Sequence, residues 1–116
     1  MLTFAKNILK MVQTRYTNKD IELFFATKKS AANKDITKDK RFWENINAFF
    51  SLLEIINCAN ELESYKFLHY EKYDNSSVVI KGAKNEMRLI FYENDNGKTI
   101  SIHQITNNNV TWKIAQ

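Results

Sequence analysis

Three side chains in the C-terminal half could act on a phosphodiester: Lys81, Arg88 and His103. Arg88 presents a planar fork of donors that matches two phosphate oxygens, and Lys81 adds a point charge. His103 carries an imidazole, the usual general base of such chemistry, so it could take the proton from a ribose 2′-OH as that oxygen attacks the adjoining phosphorus; His69 could supply the complementary acid. Tyr92 could stack on a base or hydrogen-bond to it, and Lys113 could add a further phosphate contact. Such chemistry needs these groups on one surface. The same residue types are also ordinary on the wet face of a sheet that helices cover on the other side.

Whether they share a surface depends on strand register. Side chains alternate along a strand, so the loops decide which residues stand together. A four-residue turn pairing Glu93 with Lys98 sets Arg88 opposite His103 and Leu89 opposite Ile102. A tighter loop at Asn96-Gly97 shifts the pairs by two and keeps both on one face. A four-residue loop at 82–85 brings Lys81 to that face, and three-residue loops at 107–109 and 74–76 add Lys113 and His69. Tyr92, Ser101, Val79, Ile90 and Ile105 complete this face. The opposite face carries Val78, Ile80, Met87, Leu89, Phe91, Ile100, Ile102, Val110, Trp112 and Ile114, the surface that helices must cover. One bulged residue would undo the grouping.

The elements that must position these groups follow from hydrophobic spacing. Ala5, Ile8, Leu9, Val12 and Tyr16 recur at helical intervals and predict a helix over residues 1–20, outside the rest of the fold. It could close the core or join two copies as a homodimer. Phe42, Trp43, Ile46, Phe49, Phe50, Leu53, Ile56 and Ala59 form a broad apolar stripe. With Thr37 as N-cap, that stripe predicts a helix over about residues 38–63, roughly 39 Å long. Residues 21–27 fit either a second helix or a short aromatic-rich strand. After residue 64 the helical period stops, and turn clusters at 74–76, 82–85, 94–97 and 107–109 separate five short runs. The expectation is a single α+β domain over 1–116. Its N-terminal helices pack on one face of a C-terminal antiparallel β-meander of four to five strands.

The 116 residues, 44% hydrophobic and 13% aromatic, suffice for one core and argue against general disorder. The net charge of +4 is a mild basic bias. No run of apolar residues reaches membrane-spanning length, and the first seven residues lack a signal-peptide pattern. Cys58 is the single cysteine; it is expected as a small buried hydrophobe, and the chain is expected in the cytoplasm. No metal-ligand spacing and no glycine-rich phosphate loop stands out, so no metal and no cofactor is expected. Residues 28–41 hold six basic and two acidic side chains, whereas 42–63 hold four acids and no base. The first stretch, opening on Lys28 and Lys29, is either a solvated face or a patch for RNA phosphates.

Beyond these readings, the run Lys81-x6-Arg88-Leu89-Ile90-Phe91-Tyr92, then Asn96-Gly97-Lys98 and Ile100-x-Ile102-His103-Gln104-Ile105, resembles the C-terminal half of the RelE/ParE-like toxins. The resemblance covers roughly 85–95 residues from about position 21. It implies a first strand, two helices and a meander, with residues 21–27 as that strand. It implies a protein that acts at the ribosome, cleaves mRNA without metal and is held inactive by a small antitoxin. By position, Lys81 and Arg88 match the family's phosphate-binding basic residues, and His103 is the nearest acid/base. Where many members carry a Lys pair after the last strand, this chain has Asn107-Asn108-Asn109. The rival readings are a degenerate relative that still binds RNA or an antitoxin without cutting, and a non-catalytic inhibitor or accessory protein of a phage or mobile element, which would bind a protein partner.

Overall fold

The computed structural model describes residues 12–29 and 34–107. Along the chain lie β1 (Gln13–Tyr16), α1 (Lys19–Thr27), the short α2 (Lys34–Thr37) and α3 (Lys40–Leu53). Two 3₁₀ turns follow, Ala59–Ser64 and Lys66–Leu68, and then β2 (Glu71–Lys72), β3 (Ser76–Lys81), β4 (Glu86–Asn94) and β5 (Thr99–Asn107). The strands form one sheet in the order β1-β5-β4-β3-β2. The architecture is α+β, with helices N-terminal and most strands C-terminal.

Residues 21–27 are helix. Asn18 caps α1 by accepting the Ile21 N–H at 3.0 Å, and Asp20 and Glu22 place negative charge at its positive end. The helix stops at Lys28, whose φ of 59° turns the chain away while its N–H still reaches the Phe24 carbonyl. Ile21 and Phe24, three apart, face the core.

The long helix is shorter than its apolar stripe. Asp39, rather than Thr37, is the N-cap of α3, taking the Phe42 N–H at 3.1 Å. The helix runs 14 residues, about 21 Å. Beyond Leu53 the Glu61 carboxylate captures the N–H groups of Asn57 and Cys58 and opens a 3₁₀ turn instead. Ile56, Ala59 and Leu62 remain buried, so the stripe records burial beyond the point where helix ends. Cys58 is half-buried at the start of that turn and does not lie on the helix. The Trp43 indole donates to the Ile36 and Thr37 carbonyls and ties α2 to α3. Trp43 also meets Phe24 and Phe25 of α1, while Phe49 meets Phe91 of β4. Full burial of each large apolar side chain stabilises the fold by about 1.5–3 kcal/mol.

The predicted N-terminal helix gives way, within the described residues, to a strand. Gln13, Thr14, Arg15 and Tyr16 pair with Thr99, Ile100, Ser101 and Ile102 in parallel, so the sheet is mixed rather than purely antiparallel. Val12 and Tyr16 fit a helical period and a two-residue period equally well. The open hydrogen-bonding edge of β5 decides between them, with Gln13 N–H reaching the Lys98 carbonyl and Thr17 N–H the Ile102 carbonyl. Residues 1–11, and with them most of the predicted helix, lie outside the described residues. So does the predicted fifth run near 110–115. Of the run at 65–73 only Glu71 and Lys72 are strand.

The inner face is as predicted over its described part: Val78, Ile80, Met87, Leu89, Phe91, Ile100 and Ile102 all belong to the core. The β4–β5 connection is a tight turn in which Asp95, Asn96 and Gly97 all take positive φ, 54°, 56° and 83°. Asn94 pairs with Thr99, then Tyr92 with Ser101 and Phe91 with Ile102, but Ile90 pairs with Gln104. His103 is therefore the extra residue of a bulge. Past it the parity of β5 reverses, and Ile105, predicted on the outer face, packs against the core opposite Leu89. Among the described residues no helix is long and apolar enough to cross a membrane.

Candidate functional site

The predicted group of side chains is split along β4. Arg88 stands opposite Thr106 rather than His103. Four residues separate Arg88 from Tyr92, roughly 14 Å of strand. Lys81 and His69 gather near the Arg88 end, whereas His103 stands at the Tyr92 end.

At the Arg88 end the guanidinium is engaged. Its Nη1 donates to Ser77 Oγ at 2.7 Å and lies 2.9 Å from Glu71 Oε1, and its side chain is only 10% exposed. β2 pairs with β3 through Glu71↔Ser77 and Lys72↔Ser76, so the Arg88–Glu71 pair bridges the edge strand to the second strand inward. Lys81 lies across from Glu86, Nζ to Oε1 3.8 Å, with both side chains about half exposed. His69 is exposed and closes the Lys66–Leu68 turn with a φ of 46°. An open cleft of about 470 Å³ lies among His69, Tyr70, Glu71, Val79, Glu86 and Arg88. Two carboxylates and one paired arginine line it, a poor setting for a phosphate.

A second polar cluster lies on the inner side of the same edge. Glu93, with a side chain 6% exposed, is approached by Lys72 Nζ at 3.3 Å and accepts hydrogen bonds from the Tyr70 and Ser76 hydroxyls. Burial, and then the hydrogen bond and charge of Glu93, push the Tyr70 phenol well above its ordinary pKa. Burial also raises that of Tyr16, with Glu22 adding to it. Every group in this cluster has a partner within the fold, and its role is to hold β2, β3 and β4 together.

The His103 end is built differently. Its ring lies 5.1 Å from that of Tyr92, tilted by 52°, and its Nδ1 is 3.0 Å from Thr17 Oγ1. Thr17 follows β1 directly, so the parallel pairing of β1 with β5 brings that hydroxyl to the imidazole. Arg15, Ser101 and Tyr92 make a cross-strand row over β1, β5 and β4, and Asn94 Nδ2 donates to Ser101 Oγ at 3.2 Å. A hydroxyl orienting one imidazole nitrogen leaves the other for proton transfer, with an aromatic ring alongside and an exposed arginine in the next row.

Lys28 and Lys29 lie at the end of α1, away from this row. Lys28 Nζ sits 5.4 Å from the centre of the Trp43 ring, and the Lys29 N–H reaches Thr27 Oγ1 at 3.3 Å. Lys113 lies outside the described residues. Arg15 and Thr17 were not foreseen, because nothing local in the chain indicates that 13–16 is a strand beside β5. Glu71 was not foreseen as the partner of Arg88. Among the described residues, no three His, Cys, Asp or Glu side chains come together in a way that could hold a metal ion.

Together these features define an α+β protein with a five-stranded mixed sheet and a half-exposed His–Tyr–Thr cluster at the bulge of its fourth sequential antiparallel strand. Compared with protein-family models, with curated proteins and with solved structures, the chain matches none.

Proposed function

We propose that the chain is a toxin-like RNA-binding protein in which His103 serves as the acid/base of a metal-independent endoribonuclease. The observation that carries this reading is the His103 cluster: an imidazole at a bulge, oriented by Thr17, beside Tyr92 and one row from Arg15. The order strand, two principal helices, meander is the arrangement that the toxin resemblance implies, with β1 rather than residues 21–27 as the first strand. In the proposed reaction His103 accepts the 2′-OH proton as the 2′ oxygen bonds to phosphorus. The P–O5′ bond breaks, leaving a 2′,3′-cyclic phosphate, and the departing 5′-oxygen takes its proton from water, because His69 stands at the Arg88 end of the sheet. In this reading Arg15 meets the phosphate and Tyr92 a base, while Arg88 could join only by leaving Glu71. The setting would be the cytoplasm, and the partners the ribosome and an antitoxin.

Mapping mRNA 5′ ends in a cell-free translation reaction tests this. New ends that vanish with His103→Ala and weaken with Arg15→Gln are the expected result. Intact mRNA with the unaltered protein would sink the cleavage reading. The rival, a non-catalytic protein-binding inhibitor, is favoured by large apolar side chains left in water: Leu23, Ile55, Phe67 and Tyr73 are 46–68% exposed. Translation blocked without cleavage would favour it.

A further inference from the structure

The start of α3 breaks the usual electrostatic rule for a helix. The N-terminus of a helix carries partial positive charge and favours acids in its first turn. Here that turn holds no acid, and Lys38, Lys40 and Arg41 surround the Asp39 cap. The β3–β4 turn crosses the same place. Asp39 accepts the Ala83 N–H at 3.0–3.1 Å, and Asn45 Nδ2 donates to the Lys81 carbonyl at 2.8 Å, so hairpin and helix are latched together. That latch brings Lys84 beside the three helix-end cations. Lys38, Lys40, Arg41 and Lys84 line one open cleft of about 740 Å³, with Asp39 and Glu44 as its carboxylates. Asp39 is already engaged by two backbone N–H groups. All four cations are exposed, and among the described residues none of them has an ion-pair partner. Cations gathered at a helix start oppose its dipole, a local violation of the kind that functional sites carry.

The cleft continues. Arg41 also lines a neighbouring cavity of about 270 Å³, together with Asn45, Lys81 and Phe67. Phe67 is 59% exposed, although the next residue, Leu68, is in the core. A row of exposed cations leading to an exposed aromatic ring is what a flexible single strand requires, cations for its phosphates and a ring face for a base.

We propose that this channel binds the backbone of single-stranded RNA, with phosphates against Lys38, Lys40, Arg41 and Lys84 and a base stacked on Phe67. The choice of RNA rests on the functional reading above. The channel is separate from the His103 cluster, so it would hold the strand rather than cut it.

The test measures binding of fluorescein-labelled twelve-residue oligouridylate, and of an RNA duplex of equal length, over a series of salt concentrations. The variant with Lys38→Gln, Lys40→Gln, Arg41→Gln and Lys84→Gln should bind the single strand at least tenfold more weakly. Its log–log salt slope should be shallower by about 3, since each phosphate contact on a single strand contributes about 0.7. Gln is as good a helix former as Lys, and fewer cations at the helix start suit its dipole, so the melting temperature should hold or rise. Phe67→Leu should weaken single-strand binding about tenfold and leave duplex binding unchanged. Unaltered protein that binds oligouridylate while the quadruple variant matches it in affinity or slope would overturn the channel and leave the RNA reading standing. No binding by the unaltered protein would overturn both. Equal binding by Phe67→Leu would remove the stacking role.

Discussion

Arg88 and the four cations around the start of α3 carry the same charge in opposite circumstances. Arg88 is nearly buried and held by Glu71 and Ser77. Lys38, Lys40, Arg41 and Lys84 are exposed around an open cleft and lack ion-pair partners among the described residues. In the sequence Arg88 is the more conspicuous, because it sits in a regular strand pattern. In the fold it braces the edge of the sheet, and the less conspicuous residues of a turn and a helix end remain available to an anion. A cation's availability depends on what the fold places within about 4 Å of it.

The sharpest way to break this comparison is to remove the partner of Arg88. Glu71→Ala leaves a buried guanidinium without its carboxylate and should cost about 3 kcal/mol in urea-unfolding free energy, at the lower edge for a buried pair because Glu71 is partly exposed. Arg88→Met should cost clearly less, since the freed Glu71 can return to water. Equal and small losses for both would show that Arg88 is not a brace, and would return it to the list of phosphate ligands.

Next in size is the edge cluster. Tyr70→Phe takes one donor from the buried Glu93 carboxylate and should cost about 2 kcal/mol, a typical value for a hydrogen bond to a charged group. Tyr70 and Tyr16 both have raised pKa values in the fold, so the folded state holds these protons more tightly than the unfolded chain. Their contribution is fully present below pH 10 and is lost as pH rises beyond it. Unfolding free energy should therefore fall above pH 10, and less steeply in Tyr70→Phe. An identical slope in the variant would contradict the assignment.

A smaller change separates the latch at the cleft from its cations. A Cβ on Gly82 would collide with the Asp39 carboxylate, displacing the cap of α3. Gly82→Ala should cost about 1 kcal/mol in thermal or urea unfolding, the usual worth of an N-cap. The least effect is expected at Lys81, whose half-exposed pairing with Glu86 should contribute no more than about 0.5 kcal/mol. A loss above 1 kcal/mol in Lys81→Ala would mean that this hairpin pair matters more than its exposure suggests.

Much of the architecture was legible in the residue pattern. The inner face of β3, β4 and the first part of β5 follows from alternation alone, and the stripe on α3 correctly identifies buried residues even beyond the end of the helix. The four-residue loop at 82–85 gives the right pairing of Lys81 with Glu86. The bulge at His103 was not legible, because a strand of alternating Ile and polar residues reads the same with or without an extra residue. The β4–β5 turn, by setting Asn94 opposite Thr99, moves Arg88 two places from His103; the bulge adds a third and turns Ile105 inward. β1 was hidden too, since Val12 and Tyr16 satisfy two periods at once.

What the sequence alone determined is what local spacing and side-chain chemistry can encode: helices before a meander, one apolar sheet face, tight turns at Asn and Gly, and a cation-rich stretch from 28 to 41. Tertiary structure decided the remainder. It paired β1 with the open edge of β5 and so brought Thr17 to His103. It occupied Arg88 with Glu71, seventeen residues earlier in the chain, and set Lys84 beside the start of a helix more than forty residues away. Such meetings depend on register and on which edges and charges remain unsatisfied once the core has closed, quantities that belong to the whole chain rather than to any window of it.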